Sequence, residues 1–428
     1  MTNWKSYLLV LVVAAVATGL VMPGVIWLSK RWGAVVQPDA RRVHTRPTPT
    51  LGGLAMLIGL GAGLGVAATL TGFAPIFDTP TNVLGVAGAA LIMFVTGFVD
   101  DLRDVSPPAK LAGMVLSASL LSLAGVTIVN VPIPFVGFTV LAPDMAVLAS
   151  VLWVVVMANA LNYVDGLDGL AAGLVAIAAG SFLLYSLKLE HVGALERGNL
   201  GPLVAAIAVG VCVGFLPWNF HPAKIFMGDS GALLLGLLMA SSTIAVGGQS
   251  DDSYTGQSWF FFGPLVLPLL LLAVPLLDFL FSILRRAKNR KGVATADKGH
   301  IHHRLLELGH GQRRSVVILW GFTALFSAFA LLPPLLDTGA GTLPIALGAV
   351  ALAAFAVLFP RLGRGEGEGS ADLGGVDAGT QDPTGQAAGG DTVDDRGDTV
   401  DEHAAHADRV GDQAGGSAGE IVAELDRA

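Results

Sequence analysis

Apolar residues run in long unbroken blocks along most of this chain, and polar residues gather between the blocks in short, dense clusters. The blocks lie at 6–29, 51–71, 82–99, 110–129, 144–162, 168–188, 200–217, 227–247, 259–284, 315–335 and 341–360. Crossing a bilayer as a helix takes about 20 consecutive apolar residues. The pattern therefore predicts an all-α polytopic membrane protein with about eleven transmembrane helices. One stretch departs from it: NVPIPFVGFTVLAP (130–143) mixes Pro, Gly and β-branched residues in a way that predicts a small external β-hairpin.

The first block has an alternative, since Ala15-Val16-Ala17 resembles a signal-peptide cleavage site. The apolar run continues to Leu28 and is followed by Lys30 and Arg31, which favours an uncleaved helix. The Gly-rich run GLGAGLG (59–65) matches a nucleotide-loop pattern only loosely. It lies inside a predicted span, where small residues serve close helix packing.

Composition agrees with the membrane reading. Of 428 residues, 53% are hydrophobic and 14% charged, against roughly 25% charged in soluble domains. The pattern of blocks stops at residue 360. From Arg361 onward there are 16 acidic and 5 basic residues, so that the chain's net charge of −8 conceals a membrane body of +3. This divides the chain into a transmembrane domain, 1–360, and an acidic cytoplasmic tail, 361–428. The tail holds a near-repeat, DTVDD (391–395) and DTVDE (398–402), and almost no large apolar residues. It cannot bury enough apolar surface to offset chain entropy, and disorder is expected, with a short helix at EIVAELDRA. His403 and His406 read as solvated tail residues. The tail's acidity argues against nucleic acid as a partner. The single cysteine, Cys212, excludes an intramolecular disulfide.

Lys and Arg favour the cytoplasmic ends of spans. With the N-terminus outside, the cytoplasmic loops hold Lys30, Arg31, Arg41, Arg42, Arg46, Arg103, Lys110, Lys224 and nine more between Arg285 and Arg314. The external segments hold Lys5, Lys188 and Arg197. An odd number of spans then leaves the tail in the cytoplasm. The same topology puts five polar clusters on the cytoplasmic side: PDARRVHTRPTPTLGG (38–53), FVDDLRD (98–104), NALNYVDGLDG (159–169), WNFHPAKIFMGDSG (218–231) and DKGHIHHRLLELG (297–309). No external loop is comparable.

The clusters carry chemistry. Asp100, Asp101, Asp165, Asp168 and Asp229 come from three segments and face the side that carries the basic residues. Carboxylates at a membrane boundary are costly unless solvated, paired or metal-bound, and Mg²⁺ takes a few carboxylates together with water and phosphate oxygens. The set points to a divalent metal and phosphate. Gly166 and Gly169 permit close backbone approach to a ligand. Asn159 and Asn162 offer amides to a base or sugar, and Phe226, three residues before Asp229, offers a ring to stack on a planar base. His300, His302 and His303 sit between Lys298 and Arg304, which suits an anionic diphosphate better than zinc. A transporter is the competing class. It should place ionisable residues near the midplane and often shows repeated halves, and neither is evident.

In this order, the motifs resemble the polyprenyl-phosphate N-acetylhexosamine-1-phosphate transferases over about residues 1–360. The branch using UDP-N-acetylmuramoyl-pentapeptide typically has DDxxK and three consecutive His. This chain has Asp100-Asp101-Leu102-Arg103-Asp104 and HIHHRL (300–305), which resembles the branch that transfers GlcNAc-1-phosphate. The resemblance implies Mg²⁺-dependent transfer, with Mn²⁺ as a substitute, from UDP-GlcNAc to a polyprenyl phosphate, giving polyprenyl-diphosphate-GlcNAc and UMP. UDP-MurNAc-pentapeptide or another UDP-acetamido sugar is the alternative donor. It further implies a multi-pass plasma-membrane protein with a cytoplasmic active site, in contact with membrane lipid and compatible with a homodimer. Carried over by motif, Asp229 is a metal ligand, and Asp100 and Asp101 orient or deprotonate the lipid phosphate. Asn162, Gly166, Leu167, Asp168 and Phe226 match the uridine pocket, with Asn219 and Asp165 close to metal and phosphates. His302, His303 and Arg304 match the diphosphate and sugar loop, and Arg46 stands where relatives often have Lys.

Overall fold

The computed structural model describes residues 4–37, 47–78, 80–133, 137–196, 198–248 and 312–336. The chain divides into two units, Met1–Gly369 and Ser370–Ala428, and all the described residues belong to the first. The predicted disorder of the tail therefore lies outside the described residues, as do the spans predicted at 259–284 and 341–360.

The nine remaining apolar blocks each form a helix. Together with a short helix that the pattern did not predict, α3 (Ala74–Asp78), they are in order α1 (Trp4–Trp32), α2 (Gly52–Thr69), α4 (Thr81–Arg103), α5 (Pro107–Leu123), α6 (Pro143–Val164), α7 (Leu170–His191), α8 (Leu200–Asn219), α9 (Gly228–Gly247) and α10 (Gln312–Leu336). Seven of them, α1, α2, α4, α6, α7, α8 and α9, are long and apolar enough to cross a membrane. The protein is a polytopic helical membrane protein.

The fourth block is shorter than expected. Its apolar run continues to Val129, but the helix ends at Leu123. Gly125 adopts φ +93°, which turns the chain, and the β-branched run that follows leads into strand β3 (Asn130–Ile133). That strand pairs antiparallel with β4 (Gly137–Val140), Asn130 opposite Val140 and Ile133 opposite Gly137, so the expected hairpin is present. A second, two-residue ribbon joins β1 (Val35–Val36) to β2 (Thr48–Pro49). It went unpredicted because two-residue strands carry no alternation to detect.

Helix α9 is the axis of the fold. It is buried from Ser230 to Gly247, and α2, α4, α6, α7 and α8 surround it. Small residues make this possible. A Cβ at Gly236 would lie 2.4 Å from the Cα of Ala158 on α6, so the two backbones touch there. Its Ser and Thr hydroxyls find partners inside the bundle, with Ser241 donating to Leu238 O, Ser242 to Gly201 O and Thr243 to Ala240 O. Asn199 caps α8 by accepting from Gly201 N–H at 2.7 Å and donates its amide to Ala245 O of α9. Elsewhere α4 exposes Leu84, Leu91, Val95, Val99 and Leu102. That apolar stripe at helical spacing suits lipid better than water.

Candidate active site

The N-terminus of α9 and the C-terminus of α4 meet at the centre of the site. Gly97 of α4 has no room for a Cβ, which would lie 2.4 Å from Ser230 N. Gly228 adopts φ +69°, and a Cβ there would lie 2.5 Å from Asp101 Oδ2. This contact lets the Asp101 carboxylate cap α9 from outside its own segment. Asp101 Oδ1 accepts from Asp229 N–H at 2.8 Å, and Oδ2 accepts from Ser230 N–H at 3.1 Å and Ser230 Oγ at 2.7 Å. The first N–H groups of a helix have no intrahelical partner and carry partial positive charge, so an anion placed there is stabilised.

Asp100 and Asp229 are joined by a residue that the sequence presented only as a loop charge. Lys110, in the first turn of α5, pairs through Nζ with Asp100 Oδ2 at 2.8 Å and also with Asp229 Oδ2. The second oxygen of each acid is held as well. Asp229 Oδ1 accepts from Asn162 Nδ2 at 2.8 Å, and Asp100 Oδ1 accepts from Val105 N–H at 2.8 Å. The latter bond depends on the turn at Asp104, whose φ of 46° ends α4.

The loop between α6 and α7 forms the other wall. Asp165 is half-buried and faces three more carboxylates. Burial first, and then the charges of Asp229, Asp101 and Asp168, push its carboxyl up to about 8. Asp168 is buried, with Oδ2 against His221 Nδ1 at 2.7 Å and accepting from Ala223 N–H at 3.1 Å. Asn219 is buried too. Its Oδ1 accepts from Gly169 N–H at 2.9 Å and its amide donates to Ile225 O at 3.0 Å. Both residues tie this loop to the segment 219–226. Gly166 is exposed and Leu167 buried. Phe226 is half-buried at the joint with β2 and α2, its N–H donating to Pro49 O and its carbonyl accepting from Gly52 N–H. Helix α10 closes this side, with Trp320 Nε1 donating to Leu170 O and Arg313 donating to His221 O.

Of the residues singled out in the sequence, Asp100, Asp101, Asn162 and Asp229 thus share one hydrogen-bonded network, and Asp168 and Asn219 belong to an adjoining one. Arg46, His302, His303 and Arg304 lie outside the described residues. Sequence reasoning missed Lys110, Ser230 and His221. Lys110 left one signal, a lone cation beginning an apolar span. His221 and Ser230 lay inside a motif already noticed but carried no distinguishing mark.

The donor set suits a hard cation. It offers carboxylates and an amide carbonyl, and the crowding around Asp165 is one that a cation would relieve. Among the described residues, no three His, Cys, Asp or Glu side chains form a ready-made cage. Mg²⁺ does not require one, because it binds through one or two carboxylates with water and substrate phosphate.

Residues 83–247 match the family described as Glycosyl transferase family 4. The chain is 37% identical over 375 residues to a decaprenyl-phosphate N-acetylglucosaminephosphotransferase of Mycobacterium tuberculosis, covering 86% of this chain and 92% of that protein. It is 33% identical over 320 residues to a probable undecaprenyl-phosphate N-acetylglucosaminyl 1-phosphate transferase of Bacillus subtilis, covering 75% and 83%. A phospho-N-acetylmuramoyl-pentapeptide-transferase of Mycobacterium marinum is 34% identical over 277 residues, covering 56% of this chain and 76% of that protein. On this similarity and on the motifs that build its site, the chain belongs to the polyprenyl-phosphate N-acetylhexosamine-1-phosphate transferase family.

Proposed function

We propose that the protein transfers GlcNAc-1-phosphate from UDP-GlcNAc to a polyprenyl phosphate in a Mg²⁺-dependent reaction on the cytoplasmic face of the plasma membrane, as the first membrane step of cell-envelope polysaccharide assembly. A phosphate oxygen of the lipid attacks the β-phosphorus of UDP-GlcNAc. The new bond joins the two phosphates, the bond between the α- and β-phosphates breaks, and UMP leaves. The observation that carries this reading is the convergence of Asp100, Asp101 and Asp229 with Lys110 at the ends of three helices. One substrate is soluble and the other lives in the bilayer, so chemistry at helix ends is where the two can meet.

Phosphoryl transfer is mostly positioning and charge neutralisation. Asp229, with Asn162 beside it, would hold the cation, which neutralises the diphosphate when bound. Asp100 is the acid suited to act on the lipid phosphate. Asp101 gives both oxygens to backbone N–H groups and a hydroxyl at the start of α9, whereas Asp100 Oδ2 meets the Lys110 ammonium, a partner that a phosphate can share, and this supports a positioning role for Asp101. Asp165 and the exposed backbone at Gly166 face the nucleotide side, and Asp168, Asn219 and Phe226 hold that wall in shape. Arg46, His302, His303 and Arg304 complete the expected diphosphate and sugar contacts. Direct attack needs no covalent enzyme intermediate. The one cysteine, Cys212, is buried within α8, and the Ser230 hydroxyl is committed to Asp101.

The muramoyl-pentapeptide donor is disfavoured by the smaller share of this chain that its users match. A panel of radiolabelled UDP-sugars, offered to membranes containing the protein, tests the choice. Label from UDP-GlcNAc should move into the lipid extract. Transfer from UDP-MurNAc-pentapeptide in its place would overturn the assignment.

A further inference from the structure

Asp100 and Asp229 have no free oxygen. Two of the four are taken by the Val105 N–H and the Asn162 amide, and the other two converge on the Lys110 ammonium. Lys110 is itself largely buried, with 16% of its side chain exposed. Any cation approaching Asp229 therefore meets a site that already holds one.

We infer that Lys110 is an internal counter-ion that exchanges with the divalent metal: its ammonium bridges Asp100 and Asp229 in the metal-free protein and leaves Asp229 when the metal binds. The inference rests on the metal-dependent transferase reading above. Two carboxylates facing each other in a half-buried site repel and are poorly solvated, so the metal-free protein needs a positive charge there to keep α4, α5 and α9 together. Lysine suits an exchangeable role. Its compact charge sits on a flexible four-carbon stem, whereas a guanidinium grips a carboxylate in a fixed fork. After exchange the ammonium still lies beside Asp100, where a lipid phosphate would arrive. The site then carries both positive groups and is ready for the phosphates of the two substrates. A built-in competitor also weakens metal binding, because displacing Lys110 opposes each binding event.

The test is thermal unfolding of the purified full-length protein in detergent, in EDTA and across a MgCl₂ titration at fixed ionic strength. The proteins compared are wild type, Lys110→Met and Lys110→Arg. Lys110→Met should unfold at a lower temperature in EDTA and reach its half-maximal Mg²⁺ shift at about tenfold less Mg²⁺ than wild type. Lys110→Arg should match wild type in EDTA and need more Mg²⁺, which keeps the proposal testable if the Met variant does not fold. A clear wild-type shift, with the same Mg²⁺ requirement in both variants, overturns the exchange and leaves the transferase reading standing. No Mg²⁺ shift in wild type overturns the metal part of that reading and the exchange with it.

Discussion

Asp101 and Asp229 lie 128 residues apart in the chain, and the carboxylate of the first accepts the backbone N–H of the second at 2.8 Å. This bond begins α9 and fixes where the Asp229 side chain points. Asp101→Ala should lower stability by about 1–2 kcal/mol, the usual cost of losing an N-terminal cap, and should lower activity as well. Asp100→Asn should lower activity with a smaller fall in melting temperature, since Asp229 still holds Lys110. Melting temperature and turnover measured on both variants check this separation of positioning from chemistry.

Close backbone contact around the start of α9 predicts a sharp contrast among glycines. Gly228→Ala meets both a positive φ and the Asp101 carboxylate, and Gly97→Ala meets the backbone of Ser230. Each should cost several kcal/mol or prevent folding. Gly61→Ala meets open space and should change stability by no more than about 1 kcal/mol, in either direction. Expression and detergent melting curves of the three variants read this out.

The raised carboxyl of Asp165 gives a pH dependence with a definite sign. Its pKa is about 8 in the folded protein, against a model-peptide value of 3.8. The folded state thus holds a proton that the unfolded state has released, and stability from this group falls as pH rises from about 4 towards 8. Metal-free protein should melt at progressively lower temperature across that window. Asp165→Asn should flatten the slope, and Mg²⁺ should oppose the loss at the alkaline end. A metal-free melting temperature that rises from pH 5 to pH 8, and does so equally in Asp165→Asn, would contradict the placement of this group.

Much of the fold was legible because a membrane span has a simple requirement, about 20 apolar residues in a row. The blocks at 51–71 and 227–247 match α2 and α9 nearly end to end. The block at 110–129 misled because hydropathy does not register the turn at Gly125. The acids of the site were legible as residue types facing one side, but their partners were not. Lys110 and Asp229 are 119 positions apart, and no local spacing links them. The resemblance assigns Asp168 to the uridine pocket and Asn219 to the neighbourhood of metal and phosphates. The bonds they make with the backbone at Gly169, Ile225 and Ala223 add a loop-holding role that no spacing in the sequence displays.

The acidic tail contributes no residue to any polar cluster. A chain ending near Arg364 should keep transfer activity in membranes at the level of the full chain. Normal expression with lost activity would show that the tail takes part.

Charge bias predicts an external N-terminus and a cytoplasmic tail. Reporter fusions after Arg285 and within the tail should both report the cytoplasm. An external signal after Arg285 would put the 297–309 cluster on the opposite side from the others, and an external signal from the tail would contradict the odd number of spans.

The central claim is that Asp229 supports a metal-dependent transfer to lipid. The most direct measurement follows UMP release and labelled lipid product together, using purified protein, UDP-GlcNAc and polyprenyl phosphate, for wild type and Asp229→Asn across a Mg²⁺ titration. Wild type should form the two products in equal amounts and lose both in EDTA. Asp229→Asn keeps the size of the side chain but loses its charge and one of the two acceptor oxygens that meet Asn162 and Lys110, and should fall roughly a thousandfold in rate at any Mg²⁺ concentration. An Asp229→Asn protein that retains more than about one-tenth of wild-type turnover at ordinary Mg²⁺, a loss of under about 1.4 kcal/mol, would contradict the account.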